Sequence, residues 1–493
     1  MLRSVPSDTP GIDSRTGDDV DVPLCVDLDG TLLRTDSLWE MALLLCHHSP
    51  GAIFGALGQL LFRGRAALKV WLGNRVTPDV SNWPIASEVL DLIARARQDG
   101  RAVVLVTGAP ERIALEIARQ LGGFDEVIAT QKSLNLTGKR KASALVDRFG
   151  QAGFDYVGDS IADLPVWRAA RVAIGVDSNR SLRRRGQSRL PGLQFIQQRD
   201  RLSAPRALAR AVRPHQWSKN VLVLTPVLAA HAVMRSGVLI HALIALIAFC
   251  LVASGIYLTN DLMDLESDRR HSRKRKRPLA SGDLSLRSGV AAACVFLVAG
   301  LGLSYGLGPQ VAGALGAYAL VTLLYSVRLK QVMALDVVIL AILYTFRILV
   351  GALAAGVALS HWFLAFSMFL FTSLALVKRA GELRAVTGGT GDGLHGRGYS
   401  GEDLHTVLAL GGASAFTAVL VLALYATGQD VTRLYGHPER TLLLCPLLLY
   451  WLSRIWFLTM RGQMHDDPIV FALRDRVSWL AGGVAAIVIW LAS

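Results

Sequence analysis

Residues suited to phosphoryl transfer follow short apolar runs in the first third of the chain. Asp27 and Asp29 lie one residue apart, and Gly30 permits a turn that would direct both carboxylates to one side. A carboxylate can attack phosphorus, a second can transfer a proton, and hydroxyl and ammonium groups can bind phosphate oxygens. Residues of these types recur downstream: Thr107, Lys139, Lys141, Asp159 and Asp163. The pattern predicts a phosphate-processing site, with ordinary turn and capping carboxylates as the alternative.

A second acidic cluster follows a long apolar run near the middle of the chain. Asp261, Asp264 and Asp268 have the i, i+3, i+7 spacing that places side chains on one face of a helix. Neighbouring carboxylates repel one another unless a cation lies between them, and hard oxygen ligands suit Mg²⁺. Basic residues from Arg269 to Arg277 follow. The pattern predicts Mg²⁺ that bridges the carboxylates to a diphosphate at a membrane edge; the alternative is a solvated charged loop.

The N-terminal groups require strands that end where the polar residues begin. The apolar run at 22–26 and the strand-like runs at 102–106 and 155–157 are typical of buried strands, and the stretch 85–98 between them is typical of a helix. Alternating strands and helices predict a parallel α/β sheet. Residues 35–84 interrupt this alternation with helical, partly very apolar sequence. We interpret them as a helical cap, which either closes the site or lies on the membrane surface.

The rest of the chain differs from this domain in hydropathy. The mean hydropathy is +0.40 and 52% of residues are apolar, yet residues 1–20 are polar and are expected to form a disordered tail. A basic linker is expected over residues 178–213. Nine apolar segments then predict nine membrane-spanning helices, at about 221–234, 238–259, 289–307, 310–325, 335–357, 361–377, 405–426, 441–459 and 476–492.

The charge distribution favours a membrane bilayer over nucleic acid as the partner. The formal net charge is +14, but arginine concentrates at 180–213 and 269–277, beside apolar segments. With a cytoplasmic N-terminus, Lys and Arg fall mainly in cytoplasmic loops of the nine-helix arrangement, as the positive-inside rule requires. Residues 1–20 lack the pattern of a signal peptide. We expect a multi-pass protein of a bacterial inner membrane with a cytoplasmic N-terminal domain.

Taken in order, the N-terminal groups resemble the four motifs of haloacid dehalogenase-type phosphohydrolases. The resemblance implies a Rossmann-like phosphatase domain over residues 21–177, with Asp27 as nucleophile and Asp29 as acid and base. It implies that Thr107 and a lysine bind phosphate oxygens; Lys141 fits the third motif better than Lys139. The implied Mg²⁺ site comprises Asp27, Asp29 through a backbone oxygen, Asp159 and Asp163, the last orienting the lysine or a metal-bound water. An inactive relic of such a domain is the alternative.

The membrane region, residues 214–493, resembles the UbiA superfamily of intramembrane prenyltransferases. Asn260 and the three aspartates after it match the first motif of the superfamily, whose helix count is nine. Tyr325, Lys330 and Asp336 match its second region, although aromatic prenyltransferases usually carry a pair of aspartates there. The resemblance implies an all-α bundle of nine transmembrane helices. In that bundle Asp261, Asp264 and Asp268 would hold Mg²⁺ against a departing diphosphate.

Further residues resemble one branch of the superfamily, the polyprenyl-phosphate phosphoribosyltransferases. They lie at 213–220, 378–382 and 465–475. The branch implies that a polyprenyl phosphate attacks C1 of phosphoribosyl pyrophosphate, without a general base because the lipid phosphate is already anionic. The candidate ligands of phosphate groups are Lys219, Asn220, Asn260, Tyr325, Lys330, Asp336, Arg347, Lys378 and Arg379.

Arg347 lies inside an apolar segment, where charged residues are costly and usually functional. It is expected either to bind a phosphate or to pair with Asp336. The combined hypothesis is phosphoribosyl transfer followed by removal of the 5-phosphate in the N-terminal domain. Two alternatives stay open: transfer of an isoprenyl chain from prenyl diphosphate to an aromatic acceptor, and a membrane-anchored phosphatase whose helices are a non-catalytic scaffold. The sequence also leaves an oligomer open.

Overall fold

The computed structural model describes residues 21–49, 51–130, 136–177, 180–198, 201–387, 398–464 and 467–493. The expected tail at 1–20 lies outside the described residues, as do His465 and Asp466. The chain divides into two compact units. One comprises Met1–Ala211 and Asp261–Val290, and the other comprises Val212–Asn260 and Ala291–Ser493.

The first unit is built on a six-stranded sheet in which every neighbouring pair of strands is parallel. The strand order is β3-β2-β1-β4-β5-β6. The strands are β1 (Leu24–Asp27), β2 (Val103–Pro110), β3 (Glu126–Thr130), β4 (Asp155–Gly158), β5 (Ala173–Asp177) and β6 (Gln194–Gln197). The predicted parallel α/β architecture is confirmed.

Helices connect and cover these strands. They are α1 (Ser37–His48), α2 (Ala52–Gly73), α3 (Ser87–Gln98), α4 (Glu111–Leu121), α5 (Lys139–Phe149), α6 (Leu164–Ala169), α7 (Arg180–Arg189) and α8 (Ala204–Ala211). The first two occupy the region in which we expected a cap. A non-helical residue, Gly64 at φ 79°, interrupts α2.

Both faces of the sheet are buried, which explains the continuous apolar runs of its strands. Leu24 and Val26 of β1 join a hydrophobic cluster on one face. Cys25, between them, joins a separate cluster with Tyr156 and Trp167. Side chains alternate along a strand, so a strand covered on both faces is apolar at successive positions.

The sheet extends beyond the boundary that we expected at residue 177. The stretch 178–213, expected to be a basic linker, contains α7, β6 and α8, and β6 pairs in parallel with β5. Leu182 and Leu193 are buried against the sheet. The Arg-rich composition of this stretch therefore concealed its few core positions.

Long apolar helices predominate after α8, and short helices lie between some of them. They are α9 (Thr225–Ala229), α10 (Ser236–Met263), α11 (Leu265–Arg270), α12 (Leu286–Leu307), α13 (Pro309–Val327), α14 (Leu335–Ala355), α15 (His361–Thr387), α16 (Leu404–Ala426), α17 (Gln429–Leu434), α18 (Leu444–Met460), α19 (Pro468–Ala472) and α20 (Arg476–Ala492). Within the described residues, seven helices are long and apolar enough to cross a membrane, namely α10, α12–α16 and α18 with the turns that precede some of them. Helix α20 is apolar but shorter.

The expected count of nine spanning helices is not confirmed. The first expected segment, 221–234, is a 3₁₀ helix over Pro214–Leu224 followed by the five-residue α9. Pro226 lies in the first turn of α9, and His231 after it has a left-handed φ of 51°. Gly351 of α14 lets this irregular backbone approach, because a Cβ there would lie 1.9 Å from the Val223 carbonyl oxygen. Proline and the left-handed turn prevent one continuous helix.

Candidate active sites

The turn after β1 brings the N-terminal polar groups together. Gly30 has φ +79°, and a Cβ at this position would lie 2.2 Å from Asp159 Oδ2, so only glycine fits. Thr107 in β2 is fully buried, and its hydroxyl accepts a hydrogen bond of 3.0 Å from the Ala109 amide. The parallel register places the two strands side by side, with Asp27 opposite Val106.

Lys141, in the first turn of α5, reaches the same place from another element. Its Nζ lies 2.8 Å from Asp27 Oδ1 and 3.6 Å from Asp163 Oδ1. Burial opposes the charge of this lysine, but Asp27 and Asp163 raise its pKa above the ordinary value. Lys139, the other candidate, is exposed. A buried, charged ammonium beside Asp27 can bind phosphate oxygens there.

Three carboxylates form a cluster at this edge of the sheet. Oxygens of Asp27, Asp159 and Asp163 all lie within 4.8 Å of one another. Burial, together with the charges of Asp27 and Asp163, raises the pKa of Asp159 well above its ordinary value. A bound cation would reduce the electrostatic repulsion between these carboxylates, and carboxylate oxygens are the ligands that Mg²⁺ prefers.

Asp29 is held apart from this cluster by the start of α1. The Ser37 amide donates to Asp29 Oδ1 at 2.7 Å and the Ser37 hydroxyl to Oδ2 at 3.1 Å. Burial and the nearby charge of Asp36 raise the pKa of Asp29 to about 7. A carboxyl group with this pKa can carry a proton near neutral pH, as a general acid requires.

Tyr156 completes the site, and we did not predict it. Its hydroxyl accepts a hydrogen bond of 3.0 Å from Lys141 and donates one of 3.1 Å to Asp163. In the sequence this residue lies inside the apolar run of β4, where a tyrosine is indistinguishable from a core residue. The one available signal in the sequence is that Tyr156 lies in the strand directly before Asp159 and Asp163, which suggests that it lies near them.

Tyr156→Phe is expected to lower phosphate ester hydrolysis about tenfold. The change removes one hydroxyl that joins two charged groups, and such hydrogen bonds contribute about 1.5–3 kcal/mol. Hydrolysis of p-nitrophenyl phosphate by the full chain measures the effect, with the thermal unfolding midpoint as the control for folding. A wild-type rate would contradict a role for this hydroxyl.

The first unit also contains the aspartate segment, Asp261–Val290, which carries the second acidic cluster. Asp261 and Asp268 are buried, and Arg277 Nη1 donates to both, at 3.1 Å to Asp261 Oδ1 and 2.6 Å to Asp268 Oδ2. The other oxygen of Asp268 is buried and has no hydrogen-bond partner among the described residues. The segment therefore joins two of the predicted carboxylates through a guanidinium and leaves one buried oxygen for a ligand.

The helix that should align all three aspartates is interrupted. Helix α10 ends at Met263, Asp264 lies between helices with φ −90° and ψ 10°, and α11 begins at Leu265. Asp264 is half-buried, whereas the other two aspartates are buried. The prediction of a single continuous helical face is therefore wrong in detail.

Arg347 in the second unit is a buried cation. It donates to Asn220 Oδ1 at 3.1 Å and to the Tyr318 hydroxyl at 3.3 Å. Its guanidinium also lies 5.0–5.3 Å from the ring centroids of Phe249, Tyr318 and Tyr344. The alternative that Arg347 pairs with Asp336 is wrong, because Asp336 binds Arg379 instead.

Asp336 and Arg379 form a buried ion pair in the helical unit. Arg379 Nε lies 2.6 Å from Asp336 Oδ2, and both side chains are fully buried. The Tyr399 hydroxyl donates to Asp336 Oδ1 at 2.7 Å, and Arg379 Nη2 donates to the Tyr325 hydroxyl at 3.3 Å. Arg379 also pairs with Glu382. Tyr325, Asp336 and Arg379 were each predicted to bind phosphate. In the structure, Arg379 instead binds Asp336 and Tyr325.

Arg379→Ala is expected to destabilise the folded protein by about 3–5 kcal/mol. The change leaves the carboxylate of Asp336 buried without its compensating charge. Unfolding in detergent measures the effect, and Arg328→Ala is the matched control because Arg328 is exposed. Equal loss of stability in both variants would contradict the structural role of the ion pair.

Lys219 and Lys378 meet at Asp467. Asp467 Oδ2 lies 2.8 Å from Lys219 Nζ and 3.9 Å from Lys378 Nζ, and it accepts a hydrogen bond of 3.1 Å from the Tyr344 hydroxyl. Although burial opposes its charge, these lysines hold the pKa of Asp467 below its ordinary value. A small cavity beside this group is lined by Tyr344, Lys378 and Asp467 among apolar residues. Lys330, in the turn Leu329–Gln331, lies outside that lining and is half-buried.

Comparison with known proteins identifies both parts of the chain. Residues 223–392 match the UbiA prenyltransferase family, and residues 24–168 match the haloacid dehalogenase-like hydrolases. A decaprenyl-phosphate phosphoribosyltransferase of Mycobacterium tuberculosis is 31% identical over 295 residues, which cover 57% of this chain and 94% of that protein. The chain belongs to the UbiA prenyltransferase family. It is a multi-pass membrane protein of this family with a haloacid dehalogenase-like domain.

Other relatives extend the similarity of this UbiA-family chain. An uncharacterized protein of Sinorhizobium fredii, y4nM, is 39% identical over 94% of this chain and 90% of its own length. The nodulation protein NoeC of Azorhizobium caulinodans is 37% identical over 54% of this chain and 86% of its own length. Among solved structures, a UbiA homolog from Archaeoglobus fulgidus bound to GPP and Mg²⁺ covers 57% of this chain and 99% of its own, at 17% identity and a TM-score of 0.44.

Donor atoms that suit Mg²⁺ lie in the first unit of this UbiA-family chain, and one further buried oxygen lies in the second. In the first unit, the cluster of Asp27, Asp159 and Asp163 offers three carboxylates, and Asp268 adds a buried oxygen without a partner in the aspartate segment. In the second unit, Asn260 Oδ1 is also buried, and no hydrogen-bond partner for it lies in the part of the chain that the structure describes. Buried polar oxygens are normally satisfied, so these atoms are suited to bind a cation or its water.

Proposed function

We propose that this chain transfers phosphoribose from phosphoribosyl pyrophosphate to a polyprenyl phosphate and then hydrolyses the 5-phosphate of the product. The observation that carries the proposal is the site formed by Asp27, Asp159, Asp163 and Lys141, in a chain whose transferase domain resembles phosphoribosyltransferases. That site suits a phosphate monoester, and phosphoribosyl transfer produces a lipid that carries one. Fusion raises the local concentration of the shared intermediate.

In the hydrolysis, the Asp27 carboxylate attacks phosphorus and the ester P–O bond breaks. Asp29, whose pKa is raised to about 7, gives its proton to the leaving oxygen. It then takes a proton from the water that attacks the aspartyl phosphate, which releases inorganic phosphate and restores Asp27. Lys141 and Thr107 hold the phosphate oxygens. Asp27, Asp159 and Asp163 would hold Mg²⁺, whose charge would offset the repulsion between carboxylate and phosphate.

In the transfer, an oxygen of the polyprenyl phosphate attacks C1 of the ribose while the bond from C1 to the diphosphate oxygen breaks. The attacking oxygen is already anionic, so the chain need not supply a general base. Asp261, Asp264 and Asp268 would hold Mg²⁺, which stabilises the charge of the leaving diphosphate. Arg277, held between Asp261 and Asp268, adds a guanidinium that can bind the same anion.

The second unit supplies further groups for anionic substrates. Among the described residues, Arg347 makes its hydrogen bonds and ring contacts with Asn220, Tyr318, Phe249, Tyr344 and a backbone carbonyl, and none of these groups carries a negative charge. A buried cation whose contacts are all neutral favours the binding of an anion. Lys219 and Lys378 both lie beside Asp467, and Lys378 also lines the cavity next to it. We assign these three cations to the phosphates of lipid and sugar.

Radiolabel transfer tests the donor. Purified full-length protein with Mg²⁺ and decaprenyl phosphate is given labelled phosphoribosyl pyrophosphate, and lipid-extractable label is counted. We expect label in the lipid with wild type and Glu266→Gln, and little with Asp264→Ala. No label with wild type, alongside transfer from an isoprenyl diphosphate to an aromatic acceptor, would contradict the phosphoribosyl assignment.

A further inference from the structure

The start of helix α1 holds the general acid of the proposed phosphatase. Both oxygens of Asp29 accept hydrogen bonds from Ser37, one from its amide and one from its hydroxyl. Ser37 is buried, with 1% of its surface exposed. The orientation of the Asp29 carboxyl group therefore depends on the position of the first turn of α1.

Glu40 lies three residues further on α1 and is also buried. It makes a bidentate ion pair with Arg269, with 2.6 Å from Nη2 to Oε1 and 3.0 Å from Nη1 to Oε2. The Thr35 hydroxyl donates to Glu40 Oε1 at 2.5 Å. Residues three apart share a helix face, so the side chain that positions Asp29 and the side chain that binds Arg269 lie on the same side of α1.

Arg269 does not belong to the phosphatase sequence motifs. It lies in the aspartate segment, directly after Asp268, and this segment forms one compact unit with the N-terminal domain. The side chains of Glu40 and Arg269 are only 2% and 5% exposed. A bidentate carboxylate–guanidinium pair has a defined geometry, and removal of one partner leaves the other buried and uncompensated.

A second contact ties the same segment to the turn before α1. Gly282 has φ +76°, and a Cβ there would lie 2.6 Å from the carbonyl oxygen of Arg34. Arg269 Nε also donates to the Ala280 carbonyl at 3.3 Å, which links the ion pair to the turn containing Gly282. The segment thus contacts the chain on both sides of Asp36, the N-cap residue of α1.

We propose that Glu40 and Arg269 are positioning residues for phosphate ester hydrolysis, because their ion pair holds α1 where Ser37 can orient Asp29. The segment that carries the transferase aspartates is thereby part of the phosphatase. This inference rests on the proposed hydrolytic function of the N-terminal site. Its consequence is that loss of the Glu40–Arg269 ion pair lowers the turnover of a phosphatase whose own motifs are intact.

Hydrolysis of p-nitrophenyl phosphate by the full chain is the first readout. Glu40→Gln and Arg269→Gln are each expected to lower kcat about tenfold with KM changed less than about twofold, since a displaced acid slows chemistry more than binding. Exchanging the partners, Glu40→Arg with Arg269→Glu, should recover part of the lost kcat. Arg270→Gln is the matched control, because Arg270 is exposed and pairs with Glu266 on the same helix.

Hydrogen exchange at the Ser37 amide is the second readout, and it is independent of any activity. That amide is protected by its bond to Asp29, so we expect exchange at least about tenfold faster in Glu40→Gln than in wild type or Arg270→Gln. If Glu40→Gln does not fold, Arg269→Lys takes its place, because it keeps the charge and loses the bidentate geometry.

Wild-type kcat and wild-type exchange at Ser37 in the folded variants would overturn the positioning role. Failure of the proposed phosphatase function has a different signature. In that case wild type would hydrolyse the ester no faster than Asp27→Asn, while exchange at Ser37 would still report whether Glu40 and Arg269 hold α1.

Discussion

Asp268→Asn is expected to lower phosphoribosyl transfer about 100- to 1,000-fold. The substitution keeps the size of the side chain but removes the charge that Arg277 binds and a buried oxygen without a hydrogen-bond partner. Electrostatic stabilisation of a leaving group contributes several kcal/mol, and each 1.36 kcal/mol is tenfold in rate. Lipid-extractable label from phosphoribosyl pyrophosphate measures the loss.

Glu266→Gln is the matched control for this prediction. Glu266 lies on the same short helix, is partly exposed and pairs with Arg270. It should retain transfer within about twofold, since exposed ion pairs contribute little. Hydrolysis of p-nitrophenyl phosphate should persist in both variants. Equal rates of phosphoribosyl transfer by Asp268→Asn and wild type would contradict the assignment of the aspartate segment to the transferase site.

Asp27→Asn is expected to lower phosphate ester hydrolysis by roughly 1,000-fold or more. The amide cannot attack phosphorus, so the covalent step is lost, and loss of a nucleophile has effects of at least this size. Asp147→Asn is the control, because Asp147 is exposed on α5, the helix that carries Lys141. Phosphoribosyl transfer should continue in the Asp27 variant, which would accumulate lipid that retains its 5-phosphate.

Hydrolysis that survives the loss of Asp27 would contradict its assignment as nucleophile. If Asp27→Asn abolishes hydrolysis of p-nitrophenyl phosphate but the lipid product is phosphorylated to the same extent as with wild type, the phosphatase assignment would still hold. The natural substrate of the phosphatase would then be a compound other than the product of the transferase. The two measurements therefore test the chemistry of the site and its coupling independently.

The N-terminal site follows closely from the sequence because its residues are fixed by strand ends. In a parallel sheet, the polar residue after an apolar run is placed by the strand itself, as Asp27 and Asp159 show. The turn at Gly30 was predictable for the same reason. Tyr156 was not, because an inward-facing tyrosine in a buried strand has the same sequence pattern whether its hydroxyl meets a lysine or another partner.

The membrane part was less predictable because hydropathy does not specify backbone conformation. The apolar stretch at 221–234 satisfies a composition test but forms a 3₁₀ helix and a short α-helix around Pro226. Likewise, the spacing of Asp261 and Asp264 is helical, yet α10 ends between them. Partners far apart in sequence, such as Asp336 and Arg379, depend on helix packing that no local pattern encodes.

A double-label experiment tests most directly whether one chain both transfers phosphoribose and removes its phosphate. Phosphoribosyl pyrophosphate is labelled with ¹⁴C in the ribose and ³²P at the 5-phosphate, and both labels are followed in the lipid over time. We expect both labels to enter the lipid together, after which ³²P leaves as inorganic phosphate while ¹⁴C stays. In Asp27→Asn the two labels should remain in constant ratio. A constant ratio with wild-type protein, or no label in the lipid at all, would contradict the proposal that one chain catalyses both steps.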